Sequence, residues 1–171
     1  FARSPRLTEV TFSPNSAVTR IPSAAFQSSG LLRITIPASV TFIEGYAFNA
    51  SQLEEVTFAA NSQLTEISNN VFQQARLTSI EIPASVHTIG NDAFSSNTSL
   101  TTVSFATGSN LRQLGARALG NRVTSLTLPA TPLRSGYRFL GWSNTSNGTV
   151  ISNPTTSAIA GNALFACVKR L

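Results

Sequence analysis

The chain has little of what most catalytic and metal sites are built from. It contains one cysteine, Cys167, and one histidine, His87, among its 171 residues. An internal disulfide and a Cys-based metal site are therefore excluded, and we expect no metal and no cofactor. No apolar run approaches the roughly 18 residues that a membrane-spanning helix requires, so no transmembrane segment is expected.

Charged residues are also scarce. They make up 11% of the chain, against about 25% in ordinary globular domains, so hydroxyl and amide side chains must cover the surface, as is more typical of secreted proteins. The first 110 residues carry five basic and seven acidic residues, and the remainder carries seven basic and none acidic. This basic end could contact anionic polymers, or it could simply carry scattered solvated arginines. No basic run alternates with aromatics, so nucleic acid is not an expected partner.

What the chain has in abundance is a pattern that recurs every 22 to 24 residues. The unit reads L-x-x-(I/V)-x-(I/F), a turn, then (V/L)-x-x-I-x-x-x-A-F, with full copies led by Leu7, Leu31, Leu53, Leu77 and Leu100 and a half-copy led by Val123. This period lies in the leucine-rich-repeat range. The alternation in the L-x-x-I-x-I segment predicts a strand with one face inward. We therefore predict a β-rich solenoid whose stacked coils share one core.

The A-F pair that ends each copy predicts a short helical or 3₁₀ turn. Phe26, Phe48, Phe72 and Phe94 should then stack as a ladder of buried rings, each worth roughly 1.5–3 kcal/mol. Phe1 precedes Leu7 by the same six residues that separate Phe94 from Leu100. We therefore expect the chain to start inside an earlier repeat and to be a fragment of a longer precursor.

The turn after the strand alternates in length. The step to the next apolar position is six residues in odd copies and four in even copies. The long turns place Asn15, Asn61 and Gly108 at one equivalent position, and these residue types tolerate positive φ, so we predict a left-handed corner there. The short turns carry Pro37 and Pro83, which end the strand. Corner serines are expected to cap buried backbone; they are Ser16, Ser39, Ser62, Ser85 and Ser109.

The pattern I-P-A-S-V-x-x-I-G-x-x-A-F, complete from Ile82 to Phe94, resembles the BspA-type leucine-rich-repeat family over residues 1–129. The array there has five full copies and a partial copy at each end. Members of the family are typically cell-surface or secreted proteins associated with adhesion, without catalytic residues to carry over. The resemblance implies a non-enzymatic module that binds a protein or glycan ligand on a host or neighbouring cell. A structural spacer or display segment of a longer surface protein, with no ligand of its own, is the alternative.

Residues 130–171 follow a different pattern. The G-Y-x-F-x-G-W segment from Gly136 to Trp142 and the L-F-A from Leu164 to Ala166 resemble the Listeria–Bacteroides repeat, a small β-grasp-like module of internalins. Val168 stands where that family has Trp, and the family's first strand is absent, so residues 124–128 are expected to supply it. Residues 155–159 and 163–168 read as further strands. We predict a small C-terminal β module that also caps the open end of the solenoid.

The outward positions of the strands form the one regular surface, which we name the strand face. Solenoids commonly bind partners on such a surface, although this one lacks Trp and Tyr anchors, and a plain solvated β-surface is the alternative. We expect the chain to act as a monomer. The candidate binding residues are Glu9, Thr11, Arg33, Thr35, Glu55, Thr57, Ser79, Glu81, Thr102 and Ser104, with Ser125 and Thr127 continuing the row.

No group of residues predicts catalysis. His87 with Asp92 and Ser85 suggests a triad, but His87 occupies a surface repeat position that holds threonine in other copies, so we expect no enzyme activity. Glu54 and Glu55 point to opposite faces of a strand and cannot act together. The glycosylation sequons at Asn49, Asn97, Asn144 and Asn147 are expected to arise by chance in a chain rich in Asn, Ser and Thr.

Overall fold

The structure, a computed structural model, describes residues 1–126, residue 128, and the backbone of the segments 137–143 and 164–170. In this part the chain winds into a β-solenoid whose coils are the repeats of the sequence, as predicted. Coils 2 to 5 each combine a four-residue strand, a corner, a two-residue strand and a run of tight turns. We number coils 1 to 5 by their leading residues, which are Leu7, Leu31, Leu53, Leu77 and Leu100.

The described residues contain twelve strands. They are β1 Arg20–Ile21, β2 Arg33–Ile36, β3 Phe42–Ile43, β4 Glu55–Phe58, β5 Glu66–Ile67, β6 Ser79–Ile82, β7 Thr88–Ile89, β8 Thr102–Phe105, β9 Gln113–Leu114, β10 Ser125–Leu126, β11 Tyr137–Ser143 and β12 Leu164–Arg170.

The short strands form a continuous sheet in the order β1-β3-β5-β7-β9, parallel and in register, and β12 and β11 extend it. The four-residue strands form two separate groups, β2-β4 and β6-β8, and the two-residue β10 extends the second group. Proline contributes to this division. Ala59 N–H donates to Ile36 O at 3.0 Å and links coil 3 to coil 2. Pro83 occupies the equivalent position in coil 4 and has no N–H to offer Phe58.

The predicted phenylalanine ladder is confirmed. Phe26, Phe48, Phe72 and Phe94 stack with successive ring centroids 5.2 Å apart, and each ring is at most 5% exposed. Phe1 lies 5.8 Å from Phe26 and extends the stack. The ladder belongs to a single core of buried aliphatic residues that runs through the coils, because one coil alone cannot cover its apolar side.

The segments around the A-F pairs are not helical, so the predicted helical or 3₁₀ turns are wrong. Ala25 N–H closes a turn onto Pro22 O at 3.2 Å, but the next N–H, of Phe26, donates across to Ala47 O in the following coil at 2.7 Å. Ala24 adopts a φ of 55°. Beyond its first turn, a helix bonds successive N–H groups within its own segment. Here, bonds between coils compete for the N–H groups and left-handed residues divert the chain. Equivalent left-handed residues are Ala24, Tyr46, Asn70, Asp92 and Arg117.

The corner prediction is confirmed at two of three positions. Asn61 and Gly108 adopt φ of 59° and 76°, whereas Asn15 is not in the left-handed region. Asn15 belongs to coil 1, which packs against a complete coil on one side only. The serines of the long turns cap as predicted, with Ser62 Oγ accepting from Leu64 N–H at 3.3 Å.

The serines of the short turns behave differently from those of the long turns. Ser39 Oγ donates to the carbonyls of Ser16 and Val18 in the previous coil, at 2.8 Å each. The buried hydroxyl of Ser85 has no hydrogen-bond partner among the described residues. The capping prediction therefore holds for the long turns and for Ser39, but not for Ser85.

At the C-terminal side, β12 pairs antiparallel with β9, and β11 pairs antiparallel with β12. These two strands match the predicted segments 136–142 and 163–168, while the predicted strand at 155–159 lies outside the described residues. β10 pairs with β8, so Ser125 and Leu126, the described strand residues of the segment 124–128, do not pair with β11 or β12 as expected. The half-copy continues the repeat register, which bonds it to the preceding coil instead. The β-grasp-like identity and capping role of residues 130–171 stay predictions.

Candidate functional site

The strand face lies on the outer side of the four-residue strands, because side chains alternate along a strand. Its described residues are exposed except for the half-buried Ser104. The register places Arg33 beside Glu55 and Thr35 beside Thr57 on β2 and β4. Thr127 lies outside the described residues. On β6, β8 and β10 the neighbouring pairs are Ser79 with Thr102, Glu81 with Ser104, and Thr102 with Ser125.

Neighbouring side chains on the first half of the strand face contact one another. Arg33 Nε lies 3.6 Å from Glu55 Oε2, with both side chains more than half exposed, and the Thr35 and Thr57 hydroxyls lie 2.8 Å apart. Glu9 is joined to Arg33 by an isolated backbone bridge. An exposed ion pair contributes about 0–1 kcal/mol, so these charges do little for the fold and are free to meet a partner.

The structure also shows two grooves at the corner, which sequence reasoning did not identify. The first has a volume of about 1140 Å³ and the second about 480 Å³. Each lies over a short turn, residues 37–39 or 83–85, between long turns of the coils on either side. The long turns are residues 13–17, 59–63 and 106–110. We name the grooves valley 1 and valley 2. The alternating turn lengths, visible in the sequence, were the signal that could have located them.

The valleys join the rim of the strand face. Six of the ten candidate residues line them: Glu9, Thr11, Arg33 and Thr35 in valley 1, and Thr57 and Glu81 in valley 2. Half-buried Phe12 and Phe58 contribute apolar surface, and Ala38 and Ala84 lie in the short turns. The candidate site is therefore a polar strand surface bordered by two partly apolar grooves.

A charged cluster on the other sheet was also missed. The Arg20 guanidinium lies 5.3 Å from the centre of the Phe42 ring and donates to Glu44 at 2.8 Å. Glu44 also accepts from Ser23 N–H at 2.9 Å. These hydrogen bonds, the one from Arg20 first, lower the pKa of Glu44. Arg20 and Glu44 lie one coil apart, so the cluster ties neighbouring coils together and needs no ligand to explain it.

The candidate triad does not assemble. Asp92 accepts two hydrogen bonds from Arg117, at 2.9 and 2.7 Å, which raise the pKa of the arginine. His87 forms no side-chain hydrogen bond with Ser85 or Asp92, all three being among the described residues. Burial, and then the charge of Arg112 on the next coil, lower the pKa of His87.

Two of the four sequons are buried. Asn97 is 3% exposed, donates to Phe72 O and Phe94 O at 2.8 Å, and accepts from Leu77 N–H at 3.2 Å. Asn49 is 8% exposed and bonds to side chains of the adjacent coils. Both asparagines therefore support the solenoid, and a glycan on Asn97 would break three hydrogen bonds. Asn144 and Asn147 lie outside the described residues.

Neither a candidate metal site nor a membrane-spanning helix occurs in the described part of the chain. No group of three or more His, Cys, Asp or Glu side chains there could hold a metal ion. None of those residues forms a helix long and apolar enough to cross a membrane.

Comparison with known proteins agrees with the repeat pattern. The family described as "BspA type Leucine rich repeat region" matches residues 19–139 in six copies. The crystal structure of "Pneumococcal vaccine antigen PcpA" is similar, with a TM-score of 0.57 and 31% sequence identity over 61% of this chain. The match spans 28% of that protein's chain. No curated protein matches.

Proposed function

Because this chain belongs to the BspA-type leucine-rich-repeat family, we propose that it is a non-enzymatic binding module displayed at the cell surface or secreted. Its strand face contacts a protein or glycan ligand on a host or neighbouring cell, and the module acts as a monomer. The similarity to a pneumococcal vaccine antigen supports this location, since antibodies must reach a vaccine antigen.

One observation carries the binding proposal: the strand face holds charged side chains that the fold does not need. Arg33 and Glu55 are 76% and 58% exposed and 3.6 Å apart, a geometry that stabilises a protein by about 1 kcal/mol at most. Glu81 is exposed as well. Regular, polar and unburied rows of this kind are the surfaces on which solenoids commonly bind partners.

The test is the combined variant Arg33→Ala, Glu55→Ala and Glu81→Ala. A panel of matrix proteins and glycans is probed with the 171-residue chain, and affinities are measured for whatever binds. We expect the triple variant to weaken binding by at least about tenfold, the equivalent of 1.4 kcal/mol. The matched control removes the same charges elsewhere: Arg76→Ala, Glu54→Ala and Glu66→Ala. Equal affinity of both triple variants and the natural chain would reject the strand face as the site.

A spacer is the second candidate function. The observation that favours it is the absence of aromatic anchors from the described strand face, because interface hot spots are enriched in Trp, Tyr and Arg and this face has one Arg. A spacer has no ligand of its own, so silence of the whole panel would favour it. Saturable binding that the triple variant weakens would reject it.

A further inference from the structure

The two valleys are equivalent positions of one two-coil repeat. Phe12 and Phe58, Pro37 and Pro83, and Ala38 and Ala84 line valleys 1 and 2, and the members of each pair lie 46 residues apart. The equivalence arises because odd coils have long corner turns and even coils short ones. A short turn between two long turns leaves a depression, and the depression recurs with every second coil.

The spacing of the valleys limits what can occupy both of them. The short strands β3, β5 and β7 of coils 2 to 4 are hydrogen-bonded neighbours. Such strands lie about 4.7–4.9 Å apart, so grooves separated by two coils lie roughly 9.5 Å apart. A polyproline II helix repeats every three residues and rises about 3.1 Å per residue, or about 9.3 Å per turn. A β-strand covers a similar distance in three residues, but its third residue points to the opposite face. Of these two extended conformations, only polyproline II presents the same side to both valleys.

The linings suit such a peptide. Aromatic-lined grooves are the usual docking surface for proline-rich segments, and half-buried Phe12 and Phe58 provide aromatic surface in valleys 1 and 2. Ala38 and Ala84 leave room for a prolyl ring. A polyproline II backbone forms no internal hydrogen bonds, so its carbonyls need donors, and Thr11 places a hydroxyl in the lining of valley 1. The Thr57 hydroxyl in valley 2 already contacts that of Thr35.

Charge defines the peptide further. Glu9 lines valley 1 and Glu81 lines valley 2, both exposed. Neither carboxylate forms an ion pair within the part of the chain that the structure describes, while Arg33, the basic residue of valley 1, lies 3.6 Å from Glu55. Each valley thus carries one carboxylate available to a basic side chain of a ligand.

We propose that valleys 1 and 2 bind successive turns of a basic, proline-rich polyproline II segment of a partner protein, which runs along the solenoid axis. Prolines three residues apart enter the two valleys, and arginine or lysine side chains of the segment meet Glu9 and Glu81. This inference rests on the proposed function, because it names the class of ligand for the rim of the same face.

The first experiment titrates the 171-residue chain against a fluorescent twelve-residue peptide with four Pro-Pro-Arg units, read by anisotropy. We expect saturable binding with a Kd below about 1 mM. A block-ordered peptide of the same composition, eight prolines and then four arginines, gathers its basic residues at one end, where they cannot meet both Glu9 and Glu81. It should bind about threefold to tenfold more weakly, as expected for exposed ion pairs. Absence of saturable binding, or equal binding of both peptides, would overturn the inference.

The second experiment changes the protein. Ala38→Phe with Ala84→Phe fills both valleys and should weaken peptide binding at least about tenfold. Glu9→Gln with Glu81→Gln changes exposed side chains without filling space and should weaken it about threefold to tenfold, as expected for two exposed ion pairs. Glu54→Gln with Glu66→Gln, of equal net charge, should stay within about twofold. If the filled variant fails to fold by circular dichroism, the glutamine pair decides.

The outcomes separate this inference from the proposed function. If the panel ligand is lost with Arg33→Ala and Glu55→Ala while the Pro-Pro-Arg peptide does not bind, the valley inference fails and the strand face stands. If no panel ligand binds and the Pro-Pro-Arg peptide binds more tightly than the block-ordered peptide, the valley inference is supported and binding by the wider strand face is not. Peptide binding that survives both valley variants contradicts the inference directly.

Discussion

The rings of Phe48 and Phe72 lie 5.2 Å apart and within 3° of parallel, in adjacent coils, and neither ring is exposed. The same relationship recurs from Phe26 to Phe94. Each ring covers the face of the next, so every coil completes the core of its neighbour. The stability of the solenoid therefore depends on contacts between coils and not on any coil alone.

Removing one interior ring should be costly. We expect Phe72→Ala to lower the free energy of unfolding by about 3–5 kcal/mol, because it opens a cavity between two rings that cannot close. Urea denaturation followed by circular dichroism measures the change. Phe1→Ala is the matched control, since that ring is 77% exposed at the end of the stack, and it should cost less than about 1 kcal/mol. A loss below about 1 kcal/mol for Phe72→Ala would contradict the buried ladder.

Asn97, the first residue of a glycosylation sequon, should be needed for folding. Asn97→Ala leaves the buried Leu77 N–H without its acceptor, and an orphaned buried donor costs about 1–3 kcal/mol. Asn97→Asp should cost at least as much, because it places a carboxylate against the two carbonyls that the amide contacts. Asn15→Ala, at an exposed corner, is the control and should change stability by less than about 0.5 kcal/mol. Thermal unfolding measures these changes. Equal melting temperatures for all three variants would refute the structural role of Asn97.

At the Gly108 corner, a substitution should change stability through backbone conformation alone. Its φ is 76°, and an added Cβ would meet nothing within 4 Å. Gly108→Ala should therefore destabilise the chain by about 1 kcal/mol through backbone strain alone. Gly108→Asn should cost less, because asparagine occupies the equivalent left-handed corner at Asn61. Denaturant midpoints of the two variants give the order, and a reversed order would exclude strain as the cause.

His87 should make stability fall in mild acid. Burial, followed by the charge of Arg112, lowers its pKa below the ordinary 6.5, so the unfolded chain binds the proton at a higher pH than the folded chain. Stability should then be full above pH 6.5, decrease as the pH falls through 6.5 towards the folded pKa, and level off below it. His87→Thr, which installs the residue type of Thr65 in the adjacent coil, should flatten this segment of the profile. An unchanged slope between pH 7 and pH 5 in the variant would contradict the assignment.

The sequence is informative wherever one residue type has one physical role. The period of Leu, Ile and Phe predicted the solenoid and its ladder, because apolar side chains must face a common core. Asn61 and Gly108 were predicted as left-handed corners, since their types tolerate that backbone. The turns around Ala24 were not predicted. Nothing about alanine signals a φ of 55°, and only hydrogen bonds from the next coil favour it there.

The residues of the candidate site were predictable from the sequence, but the shape of its surface was not. Alternation along each strand identifies Arg33 or Glu81 as outward-facing, because neighbouring side chains point to opposite sides. The division between β4 and β6 depends on how coils meet. Pro83 predicts the end of a strand, but the sequence does not show that its missing N–H also removes a hydrogen bond to coil 3. To predict the valleys, one has to combine the turn lengths of three successive coils, because each valley lies over a short turn between two long ones.

The alternation of turn lengths sets the step in which such an array can change without losing its surface. Deleting or duplicating a single coil brings two like turns together and disturbs the relief at the junction. Deleting or duplicating two coils, 46 residues as from Phe12 to Phe58, removes or adds one whole valley and leaves the shape of the other valleys unchanged. In variants of different length, each added pair of coils would then lengthen the partner segment that can be bound by three residues.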